Sequence, residues 1–382
     1  MVKKRIGILD GFRTVAILAV MLFHYYSRWI PPWNSVSLYP YGDKYNYFGL
    51  GYLGVQFFFI ISGFVIFYTL EQTPVFGDFW KKRLIRLYPA LLIISVIIFV
   101  FFLAFDGSNV FPESHSIYNF QFSLTFINPT LFNLLFHPHH FVFYYLNGSF
   151  WSLWPEVQFY VLASILFYLN KEKFTRNFLV LSIIVVVANW AMLHLFWKVY
   201  HVSTIKAMSP ELLAHPFMKY VWYCFVEVFS LPQYLVHFAL GITYYLLYQD
   251  KHKGIKPSWF IMGTILILFV FQCESVTNDI RVVYILMNLA FLCFIYFPDV
   301  LRIFENKYIA GIGVVSYIVY LFHENIGVFL IYTVGPYMGS LAVILPMILI
   351  VFFIVISNLY NKYIDFKVGK FLKKKLLKIK KV

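Results

Sequence analysis

Apolar residues run along this chain in blocks of about twenty, the length an α-helix needs to cross a ~30 Å hydrocarbon core. The blocks fall at 7–27, 50–70, 88–105, 149–169, 177–197, 231–249, 258–273, 281–297, 310–333 and 340–360. The pattern predicts an all-α membrane bundle of about ten transmembrane helices. Residues 1–361 form one transmembrane domain, because no long polar stretch exists to build a soluble one. Beyond it, 362–382 alternates apolar residues with lysines and reads as a basic amphipathic helix on the anionic inner leaflet. The N-terminus starts like a signal peptide, but its apolar run lacks a small-residue cleavage site, so it reads as a retained helix.

Composition agrees: 61% of the 382 residues are hydrophobic and only 13% charged. A net charge of +14 would point to nucleic acid in a soluble protein. Here the basic residues sit in short runs between apolar blocks, so a lipid bilayer is the expected partner and nucleic acid is not. Lys3, Lys4, Arg5, the cluster 81–86, and the lysines of 251–256 and 362–381 lie in alternate segments, whereas 106–148 has no Lys or Arg. The positive-inside rule then puts both termini in the cytoplasm. Cys224, Cys273 and Cys293 are too scattered for a disulfide or zinc framework. The tract 137–140 (His-Pro-His-His) reads as part of an aromatic interfacial loop rather than a metal site, and no metal is expected.

Charge inside hydrocarbon is costly, so intramembrane ionisable residues are functional candidates. The first span carries Asp10, Arg13 and His24. Arg13 and His24 are eleven residues apart, so on a helix they share a stripe ~16 Å long. The plainer reading is an Asp10–Arg13 pair and a His24 reaching the far interface. Ser62-Gly63 sets a hydroxyl and a bare backbone in the second span, where small residues also serve packing. Arg83 and Arg86 share a helix face and suit phosphate binding, although such residues are also ordinary inner-face decoration. Trp151, Ser152 and Glu156 open the fourth span. In the ninth, Ser316, Tyr320 and His323 share a face, with Glu324 beside them. Counted along the helices, His24, Glu156 and His323 fall in the outer third, Ser62 near the middle and Arg13 in the inner half.

These motifs together resemble the integral-membrane acyltransferase-3 family, over nearly the whole chain. The resemblance rests on Leu9-Asp10-Gly11-Phe12-Arg13 with ten residues before His24, and on Gln56-Phe57-Phe58 leading to Ser62-Gly63. It rests further on Arg83-Leu84-Ile85-Arg86, on Trp151-Ser152-Leu153 with Glu156, and on Ser316-Tyr317 through Tyr320 and His323. Pro155 and Glu324 depart from the family pattern. Some members carry an extra extracytoplasmic hydrolase-like domain; the last span at 340–360 implies the stand-alone form.

The resemblance implies transfer of an acyl group, most often acetyl, from cytoplasmic acetyl-CoA (acyl-CoA) to a hydroxyl of a cell-surface or lipid-linked carbohydrate acceptor. The setting it implies is the bacterial inner membrane. In that scheme Arg83 and Arg86 bind the CoA phosphates, and the thioester arm passes Arg13 and Ser62. His24 is the general base, because an imidazole titrates near working pH. Glu156 is expected to orient it, as carboxylates do in hydrolase triads. The candidate catalytic residues are therefore His24 and Glu156. The candidate binding residues are Asp10, Arg13, Ser62, Gly63, Arg83, Arg86, Trp151, Ser152, Tyr320 and His323. The rival reading is a sugar transporter or flippase, against which stands the lack of internal repeats and paired broken spans.

Overall fold

Inside hydrocarbon a chain must satisfy its backbone internally, and helices do so segment by segment. The computed structural model describes residues 6–30, 36–136, 142–196, 224, 228–274 and 276–377, and no strand occurs among them. The 137–140 tract, most of the 199–230 loop and the last residues of the tail lie outside the described residues.

Ten helices fall on the ten expected blocks: α1 (Gly7–Tyr26), α2 (Gly54–Glu71), α3 (Phe76–Phe105), α6 (Leu153–Leu169), α7 (Phe174–Ala191), α8 (Leu231–His252), α9 (Trp259–Cys273), α10 (Asn278–Tyr296), α11 (Lys307–Val334) and α12 (Leu345–Tyr360). Two short helices, α4 (Ile117–Ser123) and α5 (Pro129–Phe136), lie in the 106–148 loop, and α13 (Phe366–Leu376) ends the described chain. By length and apolarity alone, seven helical stretches among the described residues can cross a membrane. One of them, Lys307–Leu376, holds α11 and α12 together; a 3₁₀ segment, Gly335–Ile344, with Gly339 at φ 55°, divides it. Helix α9 is apolar but only 15 residues long. Helix α8 is long enough, yet polar, and it is buried without a break from Leu235 to Leu247. A helix enclosed by protein needs no lipid-facing apolar stripe, so a hydropathy rule undercounts it.

Helix α1 stands against α2 and α11, and α2 against α8. These pairs approach to backbone contact. A Cβ on Gly63 would lie 2.1 Å from the Phe238 carbonyl oxygen, and one on Gly241 2.0 Å from that of Ile60. A Cβ on Gly313 would lie 1.7 Å from the Asp10 carbonyl oxygen. Such crossings gain van der Waals contact where lipid offers no hydrophobic drive. Gly63, expected as a binding residue, therefore sits in a helix crossing.

The basic run 81–86 lies inside α3, which starts about three turns ahead of the expected span. The helix passes Pro89 without ending, and Tyr317 Oη donates to the Leu87 carbonyl at 3.1 Å. The end of α1 is held from outside the helix. Tyr39 Oη donates to the His24 carbonyl (2.6 Å) and accepts from the Arg28 (3.0 Å) and Trp29 (2.9 Å) amides, satisfying groups a helix end leaves open. The 106–148 loop is tied down by Asp106, which accepts from the Val110 and Phe111 amides at 2.8 Å each.

Candidate functional site

Two cavities open within the bundle. The larger, about 550 Å³, is lined by His24, Arg28, Gln56, Trp151, His237 and Tyr320 among others. The smaller, about 80 Å³, is lined by Arg13, Ser62, Arg83, Arg86, Glu156 and Tyr320 among others. Tyr320 and Val55 belong to both. The Tyr320 hydroxyl and Ser152 Oγ are 2.8 Å apart at this shared wall. Trp151 faces the larger cavity with its ring 5.5 Å from that of Tyr234.

At the larger cavity His24 Nδ1 lies 3.5 Å from Glu324 Oε1, and the same oxygen accepts from Arg28 Nη1 at 2.6 Å. Glu324 is 1% exposed. Arg28 is the cationic partner that so buried a carboxylate calls for. His24 Nδ1 and Glu324 Oε2 are buried without hydrogen bonds. A small rotation would join imidazole and carboxylate; catalytic hydrogen bonds often lengthen in unliganded sites. The His323 ring is 5.1 Å from that of His24, and its Nδ1 pairs with the Tyr320 carbonyl at 2.9 Å.

A loop side chain docks on helix α11 beside this cluster. Asn147 Nδ2 donates to the Leu321 carbonyl (2.7 Å), and Asn147 Oδ1 accepts from the Asn325 amide (3.2 Å). Those are the two groups that an i→i−4 helical hydrogen bond joins directly. A side chain from the loop before α6 thus spans one turn of the helix, and the His323 carbonyl also accepts from Tyr25 Oη at 2.9 Å. Gly148 lies against the Glu324 carboxylate, where an added Cβ would fall 2.4 Å from Oε1.

The smaller cavity is built differently. Glu156 Oε1 accepts from Ser62 Oγ at 3.0 Å and from the Tyr160 hydroxyl. Arg83 is buried, donates to Thr69 Oγ1 at 3.0 Å, and has its guanidinium 5.7 Å from the Tyr160 ring centre. Arg86 is exposed at the rim. Arg13 carries the expected pair with Asp10, Nη1 to Oδ1 at 2.6 Å, and lines the cavity as well.

The structure therefore brings His24, His323 and Tyr320 together, and Ser62, Glu156, Arg83 and Arg13 together. It does not bring Glu156 to His24. Counting residues along helices sets height but not azimuth: Glu156 points toward α2 and α3, and α11 supplies Glu324 at the position expected of it. Arg28, Glu324 and Asn147 were not among the candidate site residues of the sequence reading. Arg28 had a signal, standing four residues past His24; Glu324 had another, beside His323 and four past Tyr320. Among the described residues no group of three or more His, Cys, Asp or Glu is arranged to hold a metal.

The acyltransferase-3 family model, described as "Acyltransferase domain", matches residues 6–360. The chain belongs to this family. The O-acetyltransferase OatA of Staphylococcus aureus (strain NCTC 8325 / PS 47) is 30% identical over 104 residues, covering 25% of this chain and 14% of that protein. OatA of strain COL matches to the same extent. The matched stretch thus spans about a seventh of those relatives. No solved structure matches the chain.

Proposed function

We propose that the chain is a membrane O-acyltransferase that moves an acetyl group from acetyl-CoA to a hydroxyl of a carbohydrate. The observation that carries this reading is the junction of the two cavities at Tyr320, with His24 and buried Glu324 on one side and Arg13, Arg83 and Arg86 on the other. Acyl-CoA suits the smaller cavity: Arg86 at the rim and buried Arg83 meet phosphate, and the narrow space behind them admits the thioester arm. The aromatic and amide-lined larger cavity suits a saccharide. With the basic segments inside, the small cavity faces the cytoplasm of a bacterium and the large one faces out. The Lys-rich α13, none of whose residues is buried, lies at the inner leaflet.

His24 is the general base. Glu324 holds the imidazole through Nδ1–H, which leaves Nε2 to take the hydroxyl proton. The hydroxyl oxygen attacks the thioester carbonyl carbon, a C–O bond forms, the C–S bond breaks, and His24 returns its proton to the departing CoA thiolate. Tyr320 Oη, on the wall between the cavities, donates to the carbonyl oxygen as it gains charge. Arg28 holds the Glu324 carboxylate in place between turnovers.

Incubating the purified chain with acetyl-labelled acetyl-CoA and a saccharide tests this. Labelled ester from wild type and none from His24→Ala is the expected result. Saccharide transport into vesicles without ester formation would replace it with the transporter reading.

A further inference from the structure

The larger cavity is also lined by His194 and His237, which this mechanism leaves unused. His237 of α8 lines it while only 4% exposed. Behind it runs a buried relay through α9 and α10. Gln272 Nε2 is 3.0 Å from His237 Nδ1, Asn288 Nδ2 is 2.7 Å from Gln272 Oε1, and the Tyr244 hydroxyl is 2.5 Å from Asn288 Oδ1.

The polarity of this relay is set by a backbone group. Asn288 Nδ2 also donates to the Tyr284 carbonyl at 2.7 Å. A carbonyl oxygen only accepts, so the Asn288 NH₂ must face it, and both amide hydrogens are then used. Gln272 Oε1 takes the second of them, which turns the Gln272 NH₂ toward His237. Nδ1 must accept, and the ring hydrogen sits on Nε2. Reversing the chain would set Asn288 Oδ1 against the Tyr284 carbonyl, and protonating Nδ1 would set N–H against NH₂. Gln272 and Asn288 are 3% and 5% exposed. Leucines would pack three helices with no desolvation cost, so a buried polar network here serves a purpose other than packing.

We infer that His237 is a binding residue for the acceptor: a neutral imidazole, locked with its hydrogen on Nε2, that donates to an oxygen of a saccharide in the larger cavity. This rests on the reading of that cavity as the acceptor's. Tyr234 is three residues before His237 on α8, so both share a face. Tyr234 and Trp151, which also line the cavity, offer aromatic surface to a sugar ring beside the donor. The locked polarity favours an oxygen lone pair and disfavours an ammonium group.

The test uses the full chain in detergent micelles with ¹⁵N-labelled histidine, His237 being assigned by its loss in His237→Gln. Wild type is expected to show Nε2 protonated and Nδ1 bare from pH 6 to 8; a protonated Nδ1 would overturn the inference. The probe is a tetramer of N-acetylglucosamine, followed by the Nε2 signal and by tryptophan fluorescence. His237→Leu should bind it about tenfold more weakly, the worth of one hydrogen bond, and His237→Gln, which keeps a donor at similar reach, within about threefold of wild type. Unchanged affinity in His237→Leu, or no binding by wild type, would also overturn it. Should His237→Leu not fold, the wild-type resonance and His237→Gln decide. Saccharide binding through His237 without acetyl transfer would refute the proposed function and leave this inference standing.

Discussion

Two carboxylates mark the two sides of Tyr320, and they are solvated in opposite ways. Glu324 is almost fully buried and shares one oxygen between a guanidinium at 2.6 Å and an imidazole at 3.5 Å. Glu156 is half-buried and holds two hydroxyls, while buried Arg83 of the same cavity is bound to Thr69 instead. A carboxylate fixed by a cation beside an imidazole is equipped to stabilise a proton in transit. A carboxylate that only accepts from Ser62 and Tyr160 is equipped to shape a wall. Residue type and depth in the sequence do not separate the two; the partners do.

Loss of the base should show the largest effect. His24→Ala should cut acetyl transfer by about 10²–10⁴-fold, the usual worth of general-base catalysis, with CoA affinity near wild type. Measured by isothermal titration and initial rates, a loss of CoA binding instead would move His24 to the donor side.

The comparison itself is tested by paired amides. Glu324→Gln should lower kcat by about 10²-fold, and adding it to His24→Ala should cost little more, since residues acting as one unit are strongly non-additive. Glu156→Gln, which keeps an acceptor for Ser62 and Tyr160, should fall by less than about tenfold, the worth of a single neutral hydrogen bond. Equal losses at the two positions would erase the distinction drawn here.

On the cation side, the double change Arg83→Ala/Arg86→Ala should weaken CoA binding by roughly 3 kcal/mol, taking ~1.5–3 per charged hydrogen bond. Transfer at saturating donor should change far less. A kcat effect with unchanged CoA affinity would assign these arginines to the chemistry.

The smallest effect separates the two sides by pH. Glu113, in the loop over the outer cluster, is pushed up to about 7, by burial first and by the nearby Asp106 charge as well. Its folded form therefore holds a proton that the unfolded chain releases near pH 4.3. Stability falls as pH rises across that window, and the loss is complete above about 7. Melting temperature should drop between pH 5 and 8 in wild type and be flatter in Glu113→Gln.

Much of the architecture was legible because bilayer thickness is a strong constraint on a linear pattern. Ten apolar blocks became ten helices, and the polar residues inside them were candidates on energetic grounds alone. The Asp10–Arg13 pair was legible for a local reason, since residues three apart on a helix are neighbours. The His24–Glu324 contact joins residues 300 apart, and nothing along the chain gives the rotation of α6 or α11 about its axis. The glycine crossing at Gly313 fixes the face that α11 turns to α1 by letting its backbone touch that of Asp10. The Asn147 amide then docks on one turn of α11 beside Glu324. Periodicity determines which residues share a face of one helix. Which face meets which neighbour is a packing outcome, and that outcome decided the histidine's partner.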